Sequence, residues 1–268
     1  MMKVNLTTKQ IALIAVFAAL YFILSLITPY IPAIGVPEIK ISLEALIATI
    51  FGVILGPYLG AGAAFLGAII SWMFTGALPT NLPFVFSPPL NALASGWIFY
   101  NKWKLSFVMF TVLIVAFLFT PPVQPLATNW YIAVAVLFDK IIALLLIIPL
   151  VKLFKGKMSI GKTAGFFFIL AFIGNEVDNM WGSLAFATPI VYQSLFGMDT
   201  ATVQGLFLIS PFAYPAIRLI QAAIGMVILV PLVNSLQGTD WLWSKDNIIS
   251  RACKKYQVPP LSSQTVSP

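Results

Sequence analysis

The chain has 268 residues, 60% of them hydrophobic and only 9% charged, with a formal net charge of +7. A soluble domain of this size carries roughly 25% charged residues, so the composition excludes the soluble globular class and points to a membrane protein. Histidine is absent and Cys253 is the single cysteine, which excludes an internal disulfide and removes the commonest metal ligands and general bases; the lysines lie in short loops between apolar runs, so the positive charge marks membrane topology rather than a nucleic-acid surface.

Apolar runs such as "IALIAVFAALYFILSLI" (11–27) and "IIALLLIIPLV" (141–151) are continuous, whereas barrel strands would alternate. The spans are therefore helices, predicted in chain order over 10–28, 42–56, 59–76, 89–101, 105–120, 130–151, 164–188 and 206–236. The first run lacks a small-residue cleavage site and is expected to be a retained span rather than a signal peptide. The fourth and fifth are short and read as a possible broken or re-entrant pair, which gives about six to eight crossings. The basic residues set the orientation. Lys3 and Lys9 precede the first span, Lys102 and Lys104 separate the fourth and fifth, and Lys152, Lys155, Lys157 and Lys162 separate the sixth and seventh. Lys245, Arg251, Lys254 and Lys255 follow the last, while 77–88, 121–129 and 189–205 hold no Lys or Arg. Eight crossings put every basic loop on one side, with both termini cytoplasmic. The expected fold is an all-α polytopic membrane helix bundle over 1–236, followed by an amphipathic interfacial helix (237–256) and a disordered tail (257–268).

"GKMSIGKT" (156–163) matches a phosphate-loop pattern. That loop needs a β-strand before it in a soluble α/β domain. Here a membrane helix precedes it, so Gly156, Gly161, Lys162 and Thr163 read as a basic connecting loop. Gly52, Gly56, Gly60, Ala64 and Ala68 recur every four residues and read as intramolecular packing; Ala15 and Ala19 are a further small pair on one helical face.

Several features together resemble the substrate-binding S-component of energy-coupling factor (ECF) importers. They are "TTKQIALIAVFAALYF" with Ala15-x-x-x-Ala19, a polar loop holding "PEIKISLEAL" that leads into "FGVILGPYLGAGAAFLGAIIS", a late span carrying polar residues, and a last span ending "AIGMVILVPLV". The resemblance covers about residues 8–236 and is one of pattern. It implies a multi-pass protein of a prokaryotic plasma membrane that binds a small micronutrient, such as a vitamin or cofactor precursor, from outside. It implies partners too: a transmembrane T-component, which docks on Ala15 and Ala19, and two ATPases that drive import. The His-Asp-rich amino terminus of cobalt and nickel members is missing, which argues against a metal-ion substrate.

"GNEVDNMWG" (174–182) interrupts an apolar segment with Asn175, Glu176, Asp178 and Asn179. At ~1.5 Å per residue, Asp139 lies about 14 Å from the outer edge, Arg218 about 18 Å in, and Glu176 about 18 Å from the inner edge. An ionisable residue at such depth costs at least ~2.5–3.5 kcal/mol, so these groups face a protein interior or a wet cavity. Arg218, the only arginine in the apolar region, suits a carboxylate of Glu176 or Asp178 or an acidic group on a ligand. Lys140 follows Asp139 directly; the two point apart and are expected to find different partners. Trp130, Trp181 and Tyr214 lie toward the outer half, as ring-stacking groups or interface anchors. The candidate substrate site is Asp139, Asn175, Glu176, Asp178, Asn179, Trp181, Tyr214 and Arg218, opening to the outside. A structural salt-bridge network is the alternative use of the same charges. No catalytic residue, metal or cofactor is expected. The competing function is a stand-alone proton- or ion-coupled secondary transporter with Asp139, Glu176 and Asp178 as carriers; an intramembrane enzyme has no supporting motif.

Overall fold

Thr8–Ile27 form the first helix, α1, one of four helices among the described residues that are long and apolar enough to cross a membrane. Only 11% of its apolar stretch is buried. The computed structural model describes residues 7–27, 30–33, 36–42, 45–153, 160–236, 239, 241–243 and 248. The expected interfacial helix and tail therefore lie almost wholly outside the described residues.

All eight predicted spans fall on helices. After α1 come α2 (Ala45–Ile54), α3 (Pro57–Phe74), the short α4 (Leu78–Asn81), α5 (Ser87–Phe99), α6 (Trp103–Leu118), α7 (Leu126–Leu153), α8 (Ile160–Phe186) and α9 (Thr200–Leu236). In α7 the backbone leaves helical geometry at Asn129, so the membrane segment proper starts at Trp130. A 3-10 turn (Leu82–Phe84) and a π-helical turn (Ile190–Leu195) fill parts of two connections. Asp199 caps α9: a hydrogen bond from the Thr202 side chain, with the Thr202 backbone N–H donating to its Oδ1 at 2.8 Å, holds its carboxyl below the usual carboxylate range.

The structure departs from expectation at three places. The segment predicted as a polar loop contains an antiparallel hairpin, β1 (Tyr30–Ala33) with β2 (Val36–Ser42), pairing Tyr30 with Ser42 and Ile31 with Ile41. Among the helices that carry predicted spans, the shortest are α2 and α5, the second and fourth spans, where the fourth and fifth were expected. At ~1.5 Å per residue they reach only about 15 and 20 Å, against ~30 Å of hydrocarbon. Both are buried inside the bundle, where α2 packs on α5 and α5 on α3 and α8. The third departure is in the small-residue run, which is broken rather than continuous. Gly56 adopts φ +81°, a conformation that L side chains rarely take, and Pro57 opens α3 directly behind it. On either side of that turn the glycines serve packing within the chain, as expected. A Cβ on Gly52 would collide with the Ala92 carbonyl of α5, and one on Gly60 would lie 2.6 Å from the Phe51 backbone.

The contacts sort the connections to two ends. At one, Lys9 lies 4.6 Å from the Trp241 ring, the Trp243 N–H donates to the Ile54 carbonyl at 2.9 Å, and Trp243 packs on Tyr100 with Lys102 5.5 Å away. At the other, the Trp181 indole N–H donates to the Pro83 carbonyl and the Gln204 amide to the Pro122 carbonyl. The first end carries Lys9 and Lys102. The second gathers the loops that hold no Lys or Arg. This is the charge asymmetry of a cytoplasmic and an outer face.

Candidate functional site

α8 is the centre of the bundle, touching α2, α5, α6, α7 and α9. Residues 170–180 are buried without a break, so no face of this stretch is left for lipid. That placement explains how the helix carries polar side chains at membrane depth. Asn175 and Glu176 are 0% exposed, Asp178 7% and Asn179 8%. The opening to the outside that the sequence led one to expect is not seen at these residues; they face neighbouring helices.

Three neighbours meet them. From α7, the Lys140 ammonium lies 2.9 Å from Asp139 Oδ1 and 3.6 Å from Glu176 Oε2. Lys140 and Asp139 therefore share an ion pair instead of finding separate partners. The 100° between successive helical positions fixes where the Cβ atoms point, but a four-carbon stem lets the lysine head curl back. Asn179 Nδ2 donates to Glu176 Oε2 at 3.4 Å. From α9, Arg218 Nη2 lies 3.7 Å from Asp178 Oδ1, and Nη1 donates to Gln221 Oε1 at 2.8 Å. From α5, Asn91 Nδ2 donates to Asn175 Oδ1 at 3.2 Å, while Thr49 of α2 donates to Asn91 Oδ1 at 2.7 Å. Among the described residues, the buried charges are three carboxylates and two cations, and they form one cluster across α7, α8 and α9.

The structure thus brings together Asp139, Asn175, Glu176, Asp178, Asn179 and Arg218. It leaves Trp181 and Tyr214 at the margin. The Trp181 indole N–H is taken by the Pro83 carbonyl at 3.0 Å, and its ring meets Phe86 edge-on at 5.6 Å, forming an outer cover over α8. Tyr214 is half-buried on α9, and Trp130 is 60% exposed, as an interface anchor would be. Sequence reasoning missed Thr49, Asn91 and Gln221 and left Lys140 out of the site. Asn91 was findable as a lone amide in an apolar run, and Gln221 stands three residues from Arg218, on its helical face.

Gly174 belongs to this network. A Cβ there would collide with Asn91 Oδ1 and lie 2.8 Å from Thr49 Oγ1. Gly174→Ala is therefore expected to break the Thr49–Asn91–Asn175 chain and lower stability by about 1–3 kcal/mol, as overpacking does. A thermal melt in detergent checks this, with Gly182→Ala, whose nearest neighbour is Ser87 Oγ at 4.0 Å, as the silent control. The phosphate-loop pattern gains no support, because Gly161, Lys162 and Thr163 sit in the first turn of α8 and a helix, α7, comes before them.

Three buried polar atoms have no hydrogen-bond partner among the described residues of this cluster: Asn175 Nδ2, Glu176 Oε1 and Arg218 Nε. A buried polar atom left unsatisfied costs about 1–3 kcal/mol, so the site is incomplete as a purely structural network.

Neither a curated protein nor a solved structure matches the chain. The family model described as "ECF-type riboflavin transporter, S component" matches residues 5–193, from the start of α1 to the π-helical turn beyond α8. That family consists of transporter subunits rather than enzymes. Its members are integral, multi-pass membrane proteins that bind the transported substrate, in keeping with the apolar helices seen here. The chain belongs to the family of S components of ECF-type riboflavin transporters.

Proposed function

We propose that the chain captures riboflavin, or a flavin close to it, at the buried polar cluster and passes it inward with the help of an ECF module. Two things support the substrate: the family's description and the three unsatisfied atoms. Asn175 Nδ2 and Arg218 Nε are donors and Glu176 Oε1 is an acceptor. The edge of a flavin ring carries carbonyls on either side of an N–H, and its sugar-alcohol chain both donates and accepts. Such a ligand can complete all three atoms. The excess carboxylate gives a reason for binding a group that donates.

The energy comes from elsewhere. The described residues hold no nucleotide site, and the family is one of ECF-type transporter subunits, which supports transport through a transmembrane T-component and two ATPase subunits. The T-component seats on α1. Phe17, Ala18, Tyr21, Phe22 and Ser25 of that helix pack inward, with Phe17 4.9 Å from Phe51 and Phe22 5.2 Å from Phe74. Ala15 and Ala19 lie off this face and are exposed.

The observation that carries the ligand site is the unsatisfied Asn175–Glu176–Arg218 set, and titration of the purified protein with riboflavin, followed by flavin fluorescence, tests it. Wild type is expected to bind. Asn175→Leu and Asn179→Leu are expected to express normally and lose roughly 1–3 kcal/mol each, on the order of ten- to a hundredfold in affinity. If both variants bind as wild type does, these amides only hold helices together. If wild type binds no flavin, the substrate is another one.

A further inference from the structure

The polar cluster is buried among its neighbouring helices, so a ligand needs a way in, and α9 has a weak point beside that route. Its outer arm, residues 200–210, is followed inside the helix by Pro211 and Pro215. Proline has no N–H, so neither can bond the carbonyl four residues back, and the carbonyls of Phe207 and Pro211 lose their α-helical partners one turn apart. Sharp helix bends concentrate at such places. Both prolines stand between the outer arm and Arg218, the residue by which α9 meets Asp178 of the cluster.

The arm also carries a ring that closes the bundle above the cluster. Phe207 meets Phe117 of α6 edge-on at 5.5 Å and Phe186 of α8 edge-on at 6.0 Å, and all three side chains are buried. Phe186 stands ten residues beyond Glu176, and Phe207 eleven before Arg218. At ~1.5 Å per residue both lie about 15–17 Å outward of the charges, at a matching level. The trio is therefore an apolar plug where α6, α8 and α9 meet, on the outer side of the cluster. Two hydrogen bonds tie the arm beyond it, from the Gln204 amide to the Pro122 carbonyl at 2.9 Å and between the Tyr192 and Thr200 hydroxyls at 3.0 Å. A Cβ on Gly205 would meet nothing within 4 Å among the described residues, so the back of the arm is not crowded. Below the prolines α9 packs closely: Gln221, Ala222 and Leu229 are 0% exposed, and a Cβ on Gly225 would lie 3.2 Å from Ala171 Cβ.

We infer that Pro211 and Pro215 form a hinge on which the outer arm of α9 swings, lifting Phe207 out of the plug and opening the way from outside to the polar cluster. The inference rests on the reading of that cluster as the ligand site, and it adds how a flavin reaches it. Movement and recognition are separated along one helix. The plug is held by ring contacts alone, so it parts without stranding a charge, while the tightly packed inner arm keeps Arg218 at the cluster.

Restoring the helix tests the hinge in the full-length protein. Pro211→Ala with Pro215→Ala returns both N–H groups and makes bending costlier. Flavin association and dissociation, read by stopped-flow fluorescence, are both expected to slow on the order of tenfold, as one or two regained helical hydrogen bonds would dictate, with affinity within about twofold of wild type. Each single proline variant is expected to slow both rates by a smaller factor, so the comparison survives if the double variant folds poorly. A second measurement needs no ligand. In a Cys253→Ser background, Ser210→Cys places a thiol at a buried position beside the hinge, and its reaction with a small charged thiosulfonate reports opening. That reaction is expected to slow when the prolines become alanines. Flavin rates and labelling that stay as they were in the alanine variants overturn the inference. So does a change of affinity carried by one rate alone, which would place the prolines in the energetics of the site instead of its access. If wild type binds no flavin while labelling still follows the prolines, the hinge is upheld and the ligand reading is what falls.

Discussion

Arg218→Ala is expected to cost about 3–5 kcal/mol of stability, because it strips the guanidinium from the Asp178 carboxylate in a site with almost no water. Arg218 and Asp178 side chains are 6% and 11% exposed, and their atoms stand 3.7 Å apart. The substitution also removes the donor to Gln221 and the unsatisfied Nε. Riboflavin affinity should fall along with the melting temperature. Those two losses have different causes, and a double variant separates them. Replacing a buried ion pair by apolar groups of similar volume is often neutral or stabilising. Arg218→Met with Asp178→Leu is therefore expected to recover most of the melting temperature and none of the ligand affinity. Recovery of both would make the pair a structural strut. A single variant with unchanged melting and binding would remove Arg218 from the site altogether.

The bundle was legible in the sequence because two independent signals agree. Apolar runs place the helices, and the lysines place their ends. Where the run alone had to decide, it erred. The stretch 42–56 reads as one span, but its helix is only α2, since Ser42 belongs to β2 and Gly56 with Pro57 ends the helix behind it. The hairpin was passed over as a polar loop. Its signal was present: Glu38, Ile39, Lys40 and Ile41 alternate with period two, the strand pattern. In a chain whose apolar runs are all helical, that short alternation was outweighed.

The site was legible to the level of which helices carry it, because charge at membrane depth is costly enough to demand a partner. Which partner was harder. Lys140 was assigned away from Asp139 by helical direction, yet side-chain length decided the matter and gave it two carboxylates. Asn91 and Thr49 escaped notice because attention went to charges, although an amide buried in an apolar environment needs its hydrogen bonds as well. The opening to the outside could not be read at all. Whether a polar segment lines a cavity or is sealed by neighbours depends on tertiary packing, here on Trp181 meeting Pro83 and Phe86 above α8.

Replacing both Ala15 and Ala19 with tryptophan is expected to abolish riboflavin uptake and module capture while leaving ligand affinity as it is. Within lipid, helices gain nothing by hiding apolar surface from water, so association depends on close van der Waals packing, and small side chains are what permit it. On α1 the two alanines stand four apart, between Ile11 and Ile23 on the same line, so they form a shallow seat bounded by bulk at each end. An indole at either level would hold the partner's backbone away and forfeit most of the contact. The fold should not suffer, because the inward face of α1 is the other one, where Ala18 and Tyr21 are 4% and 2% exposed. The polar cluster sits on α7, α8 and α9, and α1 contributes no residue to it. Measured together, flavin titration, pull-down of the module and uptake into vesicles should divide cleanly: the first unchanged, the other two lost. A fall in flavin affinity equal to the fall in uptake would mean that α1 supports the site instead of the coupling. Uptake that continues in vesicles lacking every ECF module would show that the chain moves its substrate alone.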